Sequence, residues 1–168
     1  MARVQDYDPQ APKGLALTAL AWAARQKPVT WFLVNVGNKI DPYLMRASGG
    51  RLKTTVIAPT VLLTHTGAKS GKKRTTPLVY MRDGDNVVIV ASKGGYPKHP
   101  AWYHNLRANP DTTIQVGSKR WPVRARVAEP TERARLWPRV LETYSGYGDY
   151  QRRTERKIPL VILEPRAS

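Results

Sequence analysis

The chain has no cysteine and a single phenylalanine in 168 residues. Without thiols, disulfide staples and thiolate metal sites are excluded. The three histidines, His65, His99 and His104, show no metal-ligand spacing, and carboxylates are too little clustered to suggest a metal centre. Acids are scarce: 12 Asp and Glu stand against 28 Lys and Arg, a formal net charge of +16. Such a balance attracts nucleic acid, anionic lipid or an anionic small molecule without choosing among them. The basic residues are spread along the chain, which weakens the nucleic-acid reading. Long apolar runs are missing too. Leu15 to Ala24 is apolar for only ~10 residues, against the ~20 that a membrane span needs. Ala21-Trp22-Ala23 has the form of a leader cleavage site, but Asp6 and Asp8 cancel Arg3 and Lys13 before it. A helix ending before Pro28 is expected there instead. Internal repeats and low-complexity tracts are absent, and the length suits one core without staples.

What is present centres on Val61 to Leu106. Three apolar, β-branched runs, Val61 to Leu63, Leu78 to Met81 and Val87 to Ala91, read as buried strands. Between the first two lies a Gly-punctuated loop with Lys69, Lys72, Lys73 and Arg74 and no acid. Asp83-Gly84-Asp85-Asn86 is a hairpin signal, because the turn needs positive φ. Ser92-Lys93-Gly94-Gly95 forms a second flexible, cationic loop. Two strand ends therefore each deliver glycines, which let backbone N–H groups approach a ligand, together with cations. That combination suits an anion.

The flanking segments complete the expectation. Val29 to Met45 reads as a second N-terminal helix, with Phe32, Val36 and Ile40 on one face and Pro42 disturbing its last turn. The two N-terminal helices suit packing against the sheet or a partner subunit, and also an interfacial position on an anionic membrane. Ser48-Gly49-Gly50 is a linker between an N-terminal helical extension, residues 1–50, and a barrel domain, residues 51–168. Lys53 to Ala58 reads as an edge strand. Pro97 to Arg107 predicts a helix with Trp102, Tyr103 and Leu106 on one face, ended by Asn109-Pro110. Thr112 to Val116 and Trp121 to Val127 predict strands, the second starting at or lying on an edge because of Pro122. Pro130 to Thr143 predicts a helix with a kink at Pro138. Tyr144, Tyr147 and Tyr150 fall in a loop or short helix, and Ile158 to Leu163 closes the pattern as a strand. Six or seven short strands with hairpin signals favour a mainly antiparallel, closed or split β-barrel with peripheral helices over a βαβ fold.

The motifs in this order resemble a known family. L-L-T-x-T-G-x-K-S-G-x-x-R-x-x-P-L from Leu62 to Leu78, R-D-G from Arg82, A-S-K-G-G from Ala91, P-x-W-Y-x-N-L from Pro100 and A-N-P from Ala108 resemble the deazaflavin-dependent nitroreductases. That family lies within the split β-barrel flavin and deazaflavin oxidoreductases. The Tyr-rich segment and I-P-L-V-I-L-E-P from Ile158 extend the match to Pro165. The resemblance implies the strongly anionic deazaflavin coenzyme F-420 as cofactor, and hydride transfer from its reduced form to a quinone, nitroaromatic or activated enone. It implies that Lys69 and Arg74 hold the phosphate and nearby tail, with Thr66, Gly67 and Ser70 lining the loop. It places Pro77, Val79, Ala91, Ser92, Lys93 and Gly94 beside the ring, followed by Trp102 and Tyr103, with Asn105 ordering that segment. Ser92, Tyr144, Tyr147 and Tyr150 are the hydroxyls available for proton supply, the tyrosines walling an acceptor pocket. A cytoplasmic protein with peripheral contact to the inner face of the membrane is expected, as monomer or homodimer. Two other readings stay open at this point. One is a basic nucleic-acid-binding barrel using Trp121, Arg124 and Arg126. The other is a split-barrel relative that binds FMN or haem.

Overall fold

The computed structural model describes residues 59–166. The expected N-terminal helices, the strand at Lys53 to Ala58 and the boundary near residue 50 lie outside them. Six strands are present among the described residues: β1 (Thr60–Thr66), β2 (Lys73–Asp83), β3 (Asn86–Val90), β4 (Asp111–Val116), β5 (Lys119–Val127) and β6 (Leu160–Pro165). Three helices accompany them: α1 (Ala101–Ala108), α2 (Pro130–Thr143) and α3 (Gly146–Arg152). The strands close into a barrel in the order β1-β2-β3-β6-β5-β4, and every pairing is antiparallel. Closure leaves no free edge, so each strand satisfies its backbone groups on two sides.

Local chemistry explains the corners. Asp83 pairs with Asn86 across a two-residue turn, and Gly84 takes the positive φ of 62° that the turn needs. Val116 pairs with Lys119, with Gly117 at φ 59°. Helix α1 follows Pro100, which sits extended at φ −66° and ψ 151° and so stops the preceding chain from joining the helix. Helix α2 begins with a reciprocal capping box between Glu129 and Glu132 and Pro130 in its first turn.

Alternation along the strands makes two cores. Val61, Leu63, Tyr80, Ile89, Ile114 and Leu163 fill the barrel, and Trp102, Tyr103 and Leu106 of α1 join this interior core. Met81, Val88, Val90, Leu160 and Ile162 face outward on β2, β3 and β6, and α2 and α3 cover them with Leu136, Val140, Tyr147 and Tyr150. Charged ties fasten this cover. Arg135 and Arg139 of α2 both bond the Asp83 carboxylate, at 2.7 Å each for the closest contacts. Those guanidinium hydrogen bonds pull the Asp83 pKa down to about 2.

Two expectations need correction. Pro122 does not mark an edge. β5 pairs with β4 from Lys119 to Arg124 and with β6 from Val123 onward. Pro122 sits just before the β6 ladder begins, where its missing N–H costs no ladder bond. The last strand starts at Leu160 rather than Ile158, whose amide instead bonds the Gln151 side chain. Of the two forms expected for the tyrosine segment, the short helix is present, as α3.

Ile89 is fully buried inside the barrel. Ile89→Ala should therefore lower the unfolding free energy by about 2–5 kcal/mol in urea titration, whereas exposed Lys119→Ala should stay within about 0.5 kcal/mol.

Candidate functional site

The β1–β2 connection is an ordered loop. Gly67 N–H donates to the Lys72 carbonyl at 2.9 Å, and Gly71 N–H to the Gly67 carbonyl at 2.8 Å. A side chain at Gly67 would begin 2.5 Å from Ser70 Oγ, so the Ser70 hydroxyl would have to turn away to admit one. Helix α1 holds the loop from below. Ala68 N–H donates to Asn105 Oδ1 at 2.9 Å. The Asn105 carboxamide N–H2 group therefore faces His65 Nδ1, also at 2.9 Å. Nδ1 must then accept, which puts the ring proton on Nε2, where it donates to Thr76 Oγ1 at 3.0 Å. Burial and the neighbouring Arg74 charge lower the His65 pKa to about 4, so the ring is neutral at ordinary pH. Asn105 thus ties α1 to β1 and to the β1–β2 loop. His65, which has no metal or catalytic spacing in sequence, proves to be the middle of this relay.

The cations of the β1–β2 loop and the first residues of β2 differ from six arginines elsewhere on the surface. Arg124, Arg126, Arg135, Arg139, Arg152 and Arg166 all engage carboxylates. Lys69, Lys72, Lys73 and Arg74 are exposed and engage no carboxylate among the described residues. Thr66 lies at the end of β1, opposite Lys73.

The second loop leaves β3. Ala91 and Ser92 are buried, and Ser92 is right-handed at φ −74° and ψ −44°. Lys93, Gly94 and Gly95 are then all left-handed, at φ 49°, 65° and 82°. Lys93 is the one non-glycine residue with positive φ among those described, a conformation that costs a side-chain-bearing residue roughly 1–2 kcal/mol. Gly95 packs so closely on α3 that a Cβ would stand 2.6 Å from the Tyr150 carbonyl oxygen. Arg156 grips the loop with its whole guanidinium. Nε donates to Tyr96 O at 2.8 Å, Nη2 to Ser92 O at 2.7 Å and Ala91 O at 3.2 Å, and Nη1 to His99 Nδ1 at 3.1 Å. Sequence reasoning missed Arg156, one cation in a basic stretch with no motif of its own.

The tyrosines form a triangle on the outer face of the barrel. Ring centroids lie 5.2, 6.1 and 6.0 Å apart for Tyr144–Tyr147, Tyr144–Tyr150 and Tyr147–Tyr150, and the hydroxyls of Tyr144 and Tyr150 are 3.3 Å apart. Gly146 leaves room for the Tyr144 ring, which a Cβ there would meet at 2.4 Å. Burial raises the Tyr147 pKa above its ordinary value, so its hydroxyl stays protonated and able to donate. Val79 packs against the same cluster, and Pro77, two residues earlier on β2, is buried on that face of the strand.

The sequence-derived residues thus fall at three places: the β1–β2 loop, the exit of β3, and the outer β2–β3 face with its tyrosines. Trp102 and Tyr103 go elsewhere, into the barrel interior, where Tyr103 stacks on His99 at 4.7 Å between centroids. A cavity of about 210 Å³ between α1 and strands β5 and β6 shares only Tyr103 with them. The face expected for nucleic acid is largely neutralised. Arg124 bonds Asp111 at 3.0 Å, and Arg126 bonds Glu132 and Glu164 at 2.6 Å each.

Comparison with known proteins follows the same lines. Residues 39–165 match the family model described as F-420H(2)-dependent quinone reductase. An F-420H(2)-dependent quinone reductase of Mycobacterium tuberculosis is 48% identical over 133 residues, 76% of this chain and 89% of that protein. Among solved structures, an F-420H2-dependent reductase shares 48% identity with a TM-score of 0.59, covering 63% of this chain and 94% of its own. A domain-swapped dimer shares 40% identity with a TM-score of 0.61, covering 82% and 100%.

Protonating His65 would set Nδ1–H against the Asn105 N–H2 group, donor against donor. Between the ordinary value of 6.5 and about 4 the unfolded chain binds this proton and the folded chain resists it. The contribution is complete above the upper value and is lost as pH falls through this window, by on the order of 2–3 kcal/mol. Urea unfolding at several pH values should show that slope, and His65→Gln should flatten it.

Proposed function

The chain belongs to the F-420H(2)-dependent quinone reductase family, and from that premise we propose that it reduces a quinone with the reduced deazaflavin coenzyme F-420. The observation that carries this reading is the contrast in charge pairing. Arginines over much of the barrel hold carboxylates, while the Lys69–Arg74 loop leaves its cations for a ligand. The coenzyme is multiply anionic, and the residues present fit it: exposed cations on one ordered loop, and a right-handed-to-left-handed backbone step at Ser92-Lys93 on the next. Such a step turns successive amide N–H groups toward one side, a form suited to an anionic or carbonyl oxygen. The bound coenzyme supplies the hydride.

In this reading Lys69 and Arg74 bind the phosphate and tail, with Thr66, Gly67 and Ser70 shaping the loop. Pro77, Val79 and the Ala91–Gly94 turn form the seat of the ring. Trp102 and Tyr103 support that seat from the core rather than through exposed faces. Tyr144, Tyr147 and Tyr150 wall the acceptor site. The Tyr147 hydroxyl, kept protonated by its burial, donates a hydrogen bond to the oxygen that gains electron density. Ser92 holds the turn by accepting the Arg156 guanidinium at its carbonyl. Nitroaromatics and activated enones are further acceptors, since they share the electron-poor character of a quinone. Among the described residues no helix is long and apolar enough to cross a membrane. We assign the protein to the cytoplasm, with its apolar and basic N-terminal segment reaching lipid-dissolved quinone at the membrane surface, as monomer or homodimer.

Oxidised F-420 should bind saturably by fluorescence titration. Lys69→Ala and Arg74→Ala should each weaken binding by about tenfold, the loss of one charge-assisted contact. Unchanged affinity in both would remove the loop from the site. With reduced coenzyme and a soluble quinone, Tyr147→Phe should lower kcat by about tenfold or more while leaving coenzyme affinity intact. An unchanged kcat would exclude that hydroxyl from the reaction.

A further inference from the structure

The turn that leaves β3 is held in a conformation its own sequence disfavours. Lys93 lies at φ 49°, and the next two residues are left-handed as well. Two backbone bonds close the turn, Gly95 N–H to Ser92 O at 3.1 Å and Tyr96 N–H to Lys93 O at 3.2 Å. Two short bonds do not explain why a lysine accepts this φ. The Lys93 ammonium lies 5.5 Å from the Tyr96 ring centroid, and the most extensive further support comes from one side chain. Arg156 takes the carbonyls of Ala91, Ser92 and Tyr96, on both sides of the left-handed residues, and adds His99 beyond them. Since arginine only donates, His99 Nδ1 is an acceptor and the ring neutral, in keeping with a pKa lowered by burial.

Arg156 is itself fixed from behind. Gln151 of α3 donates Nε2 to the Arg156 carbonyl at 2.9 Å, while its Oε1 accepts Ile158 N–H at 2.9 Å and Arg133 Nη2 at 3.2 Å. Gly95 meets the backbone of Tyr150 on the same helix. The turn and the tyrosine helix are therefore bolted to each other through Gln151, Arg156 and Gly95. The carbonyls of Ala91, Ser92 and Tyr96 point at Arg156, while that of Lys93 accepts Tyr96 N–H. The amide N–H groups of Ser92, Lys93 and Gly94 donate to no described residue.

We infer that Arg156 is a positioning residue: it draws the turn's carbonyls to one side and so presents the Ser92–Gly94 amides, in fixed relation to the tyrosines, to the bound coenzyme. This rests on the coenzyme-binding reading above. It assigns Arg156 no contact with coenzyme or acceptor. A lysine at this position keeps the charge but cannot span three carbonyls in a planar fork, so charge alone does not substitute.

The test uses the full chain, with Arg156→Lys as the mild variant and Arg156→Ala as the severe one. Titration with oxidised F-420 should show roughly tenfold or greater weakening in both, from the loss of several charge-assisted bonds that order the turn. Millimolar guanidinium should restore much of the affinity in Arg156→Ala, and ammonium should not. Amide exchange, read without any coenzyme, should rise at Gly95 and Tyr96 in Arg156→Lys while the barrel strands keep their protection. Affinity within about twofold of wild type in both variants would overturn the inference, as the bonds it invokes are worth more than that. So would unchanged exchange at Gly95 and Tyr96, or a loss of protection spread evenly over the barrel. Failure of the unaltered protein to bind F-420 would instead refute the coenzyme reading, and the exchange measurement would then still decide whether Arg156 holds the turn.

Discussion

The Asn105 carboxamide is the contact on which the arrangement of the β1–β2 loop depends. One carboxamide has four hydrogen-bonding valences, and this one spends two of them on two different elements: the amide of Ala68 in the loop and the ring of His65 in β1. Because the backbone N–H can only donate, the orientation of the carboxamide is forced, then the tautomer of His65, then the donor role toward Thr76. A buried polar chain with every member satisfied is rigid, since any rearrangement leaves a desolvated group without a partner. The cationic loop therefore starts from a fixed base, although its lysines reach into solvent.

Arg156 plays the corresponding part at the exit of β3. The two supports come from different places, one from α1, inserted between β3 and β4, and one from the segment after α3 that leads into β6. Barrel closure brings both behind loops that are far from them in sequence. This division separates stability from ligand contact. Groups buried beneath the loops satisfy one another, and groups on top of them keep their donors and charges. The same logic separates the two basic surfaces of the molecule. Around β4, β5 and α2 the arginines are tied to Asp83, Asp111, Glu132 and Glu164 and act as struts. In the β1–β2 loop they are not.

The barrel was readable from the sequence because its signals are local. Alternation along β2 and β5, Gly84 and Gly117 at two-residue turns, and Pro130 at the head of α2 each act within a few residues. The loop cations were readable for the same reason, since a run without acids is visible without a fold. Pro122 misled because its ladder depends on where β6 ends, at Pro165 opposite Val123. His65 and Arg156 were invisible as supports, as their partners lie 40 residues away in one case and 57 to 65 in the other. Trp102 and Tyr103 show a further limit. Their motif suggests a ligand, while their helix turns them into the core, and periodicity alone does not distinguish the two uses of an aromatic face.

The central claim is that unpaired loop cations beside a preformed amide turn capture a multiply anionic deazaflavin. The most direct measurement is the affinity of the unaltered protein for oxidised F-420 across a salt series, compared with that for FMN, which carries a single phosphate and no glutamate tail. The account predicts saturable, micromolar or tighter binding of F-420 that weakens steadily with salt, and much poorer binding of FMN. Equal affinity for the two flavins, or F-420 binding indifferent to salt, would contradict it.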